Sequence, residues 1–281
     1  MPPLTITLIQ PDLRWEDKAA NLELLSTRID AIEEKTHLVI LPEMFSTGFS
    51  MRPEALAEPM NGPSVAWMKK MAARKKVILT GSLIIEEKGR YFNRLIWMLP
   101  NGQYGTYDKR HRFAYAGEHE HYTAGHKRLI ASVNGWKVNL QVCYDLRFPV
   151  WSRQQLQEPE PPDASTADQT VPPAGTLEPE YDLLVYVANW PERRSHAWKT
   201  LLQARAIENQ AYVAGVNRVG NDGNNIYHSG DSMVIDPLGE VLYHAPKEES
   251  IFTCTLQPEK LEEVRTRFPF WQDSDHYTID P

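Results

Sequence analysis

The chain is 281 residues long, 42% hydrophobic and 24% charged, an ordinary globular composition. Its net charge of −7 supplies no broad basic surface to neutralise a phosphate backbone, which argues against nucleic acid as the main partner. No apolar run approaches ~20 residues, so no membrane span is expected, and two cysteines at unlike sites make no disulfide framework and point to a reducing, cytoplasmic setting.

The first residues lack a basic n-region and enter a strand pattern directly, so no signal peptide is expected. Leu4–Ile9 alternates and reads as a strand. Trp15–Ile32 places Ala19, Leu22, Leu25, Ile29 and Ile32 at helical spacing. His37–Pro42 is a continuous apolar run, the signature of a buried strand. Ser64–Ala73 is helical, with Val65, Met68 and Met71 on one face. Val77–Thr80 and Ser82–Ile85 read as strands punctuated by Gly81. Tyr91–Leu99 is a strand closed by the hairpin signal Pro100-Asn-Gly102, and Tyr104–Asp108 continues the meander. Trp136–Val142 alternates and ends at Cys143.

Beyond Cys143, Tyr181–Ala188 is a buried strand, Ala197–Gln210 a helix covered on more than one side, and Tyr212–Asn217 a strand. Asp231–Ile235 and Val241–His244 flank the turn Asp236-Pro-Leu-Gly239. Ile251–Leu256 is the last strand and Gln257–Arg267 a short helix. Together these suggest helices layered over sheet, with strands enough for two sheets. The basic runs Arg74-Lys-Lys76 and Arg193-Arg194 read as solvated faces.

Gln154–Glu180 differs from the rest. It holds six prolines and six acidic residues and no Lys or Arg. That composition cannot bury a core and reads as an irregular insertion, at about 155–180, within one domain spanning 1–281. It can be a lid beside Cys143 or a tolerated surface insertion, and loop length is thermodynamically cheap.

Cys143 sits at a strand-to-helix or strand-to-turn junction, where free backbone N–H groups and a helix N-terminus favour the thiolate. The alternative is a small buried hydrophobe, as Cys254 in its strand is read. Glu43 follows a buried strand and so lands at its C-terminal mouth, the edge where layered α/β proteins form sites. It can equally be a structural carboxylate satisfying loop N–H groups. Lys109 follows the strand Tyr104–Asp108 and can supply a fixed positive charge. Glu118-His-Glu120-His121 makes a loop rich in titratable groups.

Leu-Pro-Glu43 with Gly48 downstream, Tyr-Asp-Lys109-Arg-His, and Cys143-Tyr-Asp-Leu-Arg-Phe-Pro149, in that order, resemble the carbon–nitrogen hydrolase (nitrilase) superfamily. Ala188-Asn-Trp-Pro191, Trp198, the helix Leu202–Val213, Gly230-Asp-Ser232 and Asp236–Gly239 fit as well, so the resemblance covers nearly the whole chain. Cys-Tyr-Asp-Leu-Arg-Phe-Pro followed by Asn-Trp-Pro is similar to the omega-amidase branch, which hydrolyses the terminal amide of 2-oxo acids such as 2-oxoglutaramate and 2-oxosuccinamate. The insertion departs from that pattern.

The resemblance implies an α/β (α+β) fold, a four-layer α-β-β-α sandwich of two mixed sheets with helices outside. It implies a catalytic set of Glu43, Lys109 and Cys143, with Glu118 preferred to Glu120 as the supporting carboxylate. Cys143 would attack the amide carbonyl, Glu43 would carry the proton, and Lys109 with the backbone N–H of Tyr144 would hold the oxyanion. Arg147 is either a ligand for a substrate carboxylate or a buried structural partner of Asp145 or another acid. Phe45, Tyr115, Asn189 and Trp190 are candidate pocket-lining residues. The implied partner is a small-molecule amide, with no cofactor or metal, and subunits pair as a homodimer by analogy. Nitrile and N-carbamoyl amide hydrolysis would use the same three residues. A zinc site from His111, His119, His121 and His126, a papain-like Cys–His pair, and a binding module retaining only the scaffold are the other readings.

Overall fold

The structure is a computed structural model that describes residues 1–157, 178–275 and 277–279. Most of the proline-rich, acidic insertion therefore lies outside the described residues.

In chain order the strands of the first half are β1 (Leu4–Gln10), β2 (Leu38–Ile40), β3 (Ile78–Glu87), β4 (Arg90–Met98), β5 (Tyr104–Asp108), β6 (Leu129–Val133) and β7 (Trp136–Val142). Those of the second are β8 (Leu156–Gln157), β9 (Glu178–Pro179), β10 (Leu183–Val187), β11 (Tyr212–Val216), β12 (Val219–Asn221), β13 (Tyr227–Ile235), β14 (Val241–Pro246) and β15 (Ser250–Leu256). The helices are α1 (Lys18–Asp30), α2 (Pro53–Leu56), α3 (Pro63–Lys75), α4 (Glu118–His121), α5 (Pro149–Ser152), α6 (Ser195–Asn209) and α7 (Pro258–Arg267).

Two mixed sheets result. One runs β15-β1-β2-β3-β4-β5, the other β12-β13-β11-β10-β7-β6 with β14 paired to β13. Leu4, Ile6, Leu8, Leu38 and Ile40 of the first sheet share one buried cluster with Val138, Leu140, Val142, Leu183, Val185 and Val187 of the second, so the sheets pack face to face. The outer face of the first sheet is covered by Leu25 and Ile29 of α1 and Val65, Met68 and Met71 of α3. Trp198, Leu202 and Ala206 of α6 cover the second. This is the four-layer α-β-β-α arrangement.

Local details differ from the sequence pattern for physical reasons. Gly81 does not break a strand, because β3 is continuous through it. A Cβ there would come within 2.8 Å of Phe45 Cδ1 and 2.9 Å of Leu41 Cβ, so the glycine lets the segment around Glu43 lie on the strand. α1 begins at Lys18, not Trp15, because Asp17 caps it by accepting the N–H of Ala20 at 3.0 Å. β6 escaped the sequence pattern: it is a half-exposed edge strand with weak alternation.

The described residues on either side of the insertion are anchored to the sheets. Gln154 is buried, its Nε2 donating to Tyr181 O at 2.7 Å and its Oε1 accepting from Tyr181 N at 3.1 Å. Arg128 pairs with Glu180 at 2.7 Å, and Asp182 exchanges hydrogen bonds with the backbone of Lys137. Since β7 and β10 are parallel, with Val138 opposite Leu183 and Val142 opposite Val187, these anchors sit beside the start of β7. Cys143 follows its other end, about 20 Å away at strand rise.

Candidate active site

Glu43 lies just past β2, Lys109 just past β5 and Cys143 just past β7. Cys143 takes φ +47° and Met44, next to Glu43, φ +43°, left-handed conformations that non-glycine residues adopt at a cost. Each reverses the chain as it leaves a strand. The turn at Cys143 is held by Asp145, which is fully buried and accepts from Val142 N at 3.0 Å, Tyr107 Oη at 2.7 Å and His111 N at 2.9 Å, with His111 Nδ1 at 2.8 Å. One carboxylate thus ties the segment after β5 to the segment after β7.

The three side chains converge. Lys109 Nζ is 2.9 Å from Glu43 Oε1, and it reaches Glu118 Oε1 at 3.0 Å and Oε2 at 2.9 Å. Glu43 Oε2 accepts the backbone N–H of Asn189 at 2.8 Å, and Glu43 is near enough to the Cys143 thiol to act on its proton. Glu118 accepts the N–H of Phe113 as well. Glu118, buried, is the carboxylate that reaches Lys109, while Glu120 is exposed. Tyr144 is the second residue of a short 3₁₀ turn, Cys143–Arg147, and the leading N–H groups of such a turn have no partner within it.

Burial works against a charge on Lys109, yet Glu118 and Glu43 outweigh it and hold the ammonium firmly protonated. Glu118 is pushed up, by burial first and by Glu43 beside it, against the pull of Lys109. Cys143 is pushed well up by burial and then by the negative Glu43. The thiolate expected from the junction is therefore not the resting form. The 3₁₀ turn is too short to carry a strong dipole, and the nearest carboxylate repels the thiolate. The arrangement instead pairs a thiol with a carboxylate base.

A cavity of about 510 Å³ opens over Cys143. Its lining includes Tyr115, Tyr144, Arg147, Asn189 and Trp190, together with Phe49, Arg194 and His228, which the sequence did not place at the site. Phe45 is a correction: it packs in the core against Trp67 and Gly81, while Phe49 faces the cavity and places its ring 5.0 Å from Lys109 Nζ. Asn189 lines the cavity, but its side chain donates to Glu43 O at 2.5 Å. Arg147 is not the partner of Asp145. It is exposed to the cavity and stacks over Trp190, centroid 5.1 Å from its guanidinium carbon. Arg194 leaves the expected solvated face as well, half-buried over the ring of Phe113. Among the described residues no carboxylate pairs with Arg147, Arg193 or Arg194. Among the described residues, too, no three His, Cys, Asp or Glu side chains cluster to hold a metal ion, and His111 is engaged with Asp145 and stacked on Phe148.

The family model for carbon-nitrogen hydrolases matches residues 5–160 and 178–266. The chain is 40% identical over 280 residues to omega-amidase YafV of Yersinia enterocolitica, covering 99% of this chain and 100% of that protein. It is 29% identical over 272 residues to 2-oxoglutaramate amidase of Bacillus subtilis (strain 168), covering 96% of each. A crystal structure of a CN-hydrolase superfamily protein from Xanthomonas campestris, with an arsenic adduct in its active site, superposes with a TM-score of 0.90 at 43% identity over 100% of both chains.

Proposed function

The chain belongs to the carbon–nitrogen hydrolase family, and from that premise we propose that it cleaves the terminal amide of small 2-oxo acid amides, such as 2-oxoglutaramate and 2-oxosuccinamate, to the acid and ammonia. The observation that carries the reading is a thiol, a carboxylate and an ammonium meeting under a cavity whose wall holds arginines unpaired by carboxylates among the described residues. Relatives named omega-amidase and 2-oxoglutaramate amidase support the same substrate class.

Cys143 Sγ attacks the amide carbonyl as Glu43 takes the thiol proton. Lys109 Nζ and the Tyr144 N–H hold the oxyanion of the tetrahedral intermediate. Glu43 returns the proton to the departing nitrogen, and ammonia leaves a thioester. Glu43 then takes a proton from water, which attacks the thioester and frees the acid and the thiol. Glu118 holds Lys109 in place. Arg147, with Arg194 beside it, anchors the carboxylate at the far end of the substrate, for which a guanidinium is suited.

The deciding test is ammonia release from 2-oxoglutaramate and 2-oxosuccinamate beside glutamine, a nitrile and an N-carbamoyl amino acid. Turnover of either of the last two, with none of the oxo-acid amides, would overturn the substrate class. In addition, Arg147→Ala should raise KM for the oxo-acid amides about 10–100-fold with little change in kcat, the cost of one charged hydrogen bond. It should leave an uncharged aliphatic amide unaffected. If both substrates suffer equally, Arg147 does not read the carboxylate.

The two free cysteines fit a cytoplasmic setting, and no helix of the described residues is long and apolar enough to cross a membrane. Exposed Val150 on α5 and Ile207 on α6, elements beside the nucleophile turn, support pairing of two copies there. Light scattering giving a monomer mass would remove that part of the proposal.

A further inference from the structure

Asn93 contributes no reacting group, yet the site converges on it. It lies in β4 opposite Ile84 of β3 and is buried. Its carbonyl accepts the backbone N–H of Lys109 at 3.0 Å. Its Nδ2 donates to Glu43 Oε1 at 2.8 Å and to Glu118 Oε1 at 3.3 Å. These are the oxygens that Lys109 Nζ reaches at 2.9 and 3.0 Å. The carboxamide nitrogen and the ammonium therefore bridge the same pair of carboxylate oxygens.

The electrostatics give this bridge a purpose. Two buried carboxylates sharing one lysine carry an excess negative charge, and like charges at that distance drive one of them to take a proton. A protonated Glu43 could not accept the thiol proton. Neutral N–H donors aimed at both oxygens favour the ionised forms without competing with Lys109 for position. The amide orientation is fixed by the same logic: flipped, Asn93 Oδ1 would face two negative oxygens.

We propose that Asn93 is a positioning residue, whose carboxamide bridge holds Glu43 and Glu118 side by side and so keeps Glu43 aimed at the Cys143 thiol. The role deepens the proposed amide hydrolysis and rests on it, but the bridge can be read without turnover. Alkylation of Cys143 by iodoacetamide requires the thiolate, so its rate should fall on the acid side as proton transfer from the thiol is lost.

Asn93→Leu keeps the volume and removes the donors, and Asn93→Asp keeps the shape and adds a third carboxylate. In Asn93→Leu the acid limb of the alkylation profile should move up by about one pH unit. The limb of kcat should follow it, with kcat at neutral pH down about tenfold and KM nearly unchanged. Asn93→Asp should shift the limb further, and both variants should recover towards wild type as pH rises past the new limb. Should neither fold, Asn93→Ser, which keeps one donor, carries the test with a smaller shift in the same direction. A folded variant whose alkylation profile superposes on wild type would overturn the inference, even if its turnover were reduced. A wild type that shows the limb but releases ammonia from no amide would instead remove the proposed reaction and leave Asn93 to be judged by alkylation alone.

Discussion

Lys109 serves two buried carboxylates at once, and its loss should register twice. Lys109→Ala removes an oxyanion donor, a change that typically costs about 10²–10³ in kcat. It also strands Glu43 and Glu118, and breaking a buried ion pair from one side costs about 3–5 kcal/mol. Steady-state rates and chemical denaturation should both fall. An active, fully stable Lys109→Ala enzyme would refute both assignments. The cysteines offer a second check. Burial raises Cys254 to about 11 with no base beside it, whereas Cys143 has Glu43. Iodoacetamide near neutral pH should therefore label Cys143 and spare Cys254, as peptide mapping would report. Glu43→Gln should slow that labelling about 10²-fold or more, the size of a general-base contribution. What was legible at this scale was the residue standing directly after a strand. Glu43, Lys109 and Cys143 all do. Asn93 sits mid-strand between Phe92 and Arg94, and Arg194 stands just before α6 with another arginine beside it, so neither carried a mark that set it apart. For Arg147 the sequence left two readings open, because the hydrogen bonds that satisfy Asp145 come from Tyr107 and His111, remote in sequence.

At the scale of elements, β13 brings an acid-sensitive group into the cavity wall. Burial, and then the nearby Arg218, lower His228 to about 4, against the weaker pull of Asp222 and the carbonyl of Ile226. In the unfolded chain this imidazole titrates at its ordinary value near 6.5. Between those values the unfolded state binds more protons, so stability rises with pH across that window. The contribution is fully present above about pH 6.5 and is lost, by about 3 kcal/mol, as pH falls towards the folded value. Thermal melts of His228→Gln should accordingly fall less steeply than wild type between pH 6.5 and 4.5. Parallel curves would mean that other groups govern the acid limb. Element types were legible wherever one face is buried: the apolar spacing of α1, α3 and the strands of the two sheets is dictated by the layers they contact. The misreadings have local causes. Gly81 looked like a break because sequence does not show which side chain presses on it, and β6 was hidden because an edge strand need bury only part of one face.

Over the whole molecule, strand direction decides where chemistry collects. β1, β2 and β3 run parallel, β5 returns to the direction of β3 after the antiparallel β4, and β7 and β10 run parallel in the second sheet. Glu43, Lys109, Cys143 and Asn189 all follow strands of these sets, so they gather at one edge of the sandwich. The layered class could be anticipated from alternating strand and helix patterns. The facing of the two sheets could not, since it depends on one shared cluster of residues as far apart in the chain as Leu8 and Val185, which no local spacing records.

The anchors of the proline-rich insertion lie a full strand away from that edge. Leu156 pairs with Pro179 and Gln157 with Glu178, so the described residues on either side of the insertion are neighbours. The chain thus carries a graft port remote from its chemistry. Joining Gln157 to Glu178 through Asn-Gly should leave kcat/KM unchanged and raise stability by about 1–2 kcal/mol through cheaper loop closure. A tether or reporter domain spliced at the same point should be tolerated. An enzyme of this kind could be immobilised by its back while its mouth stays open.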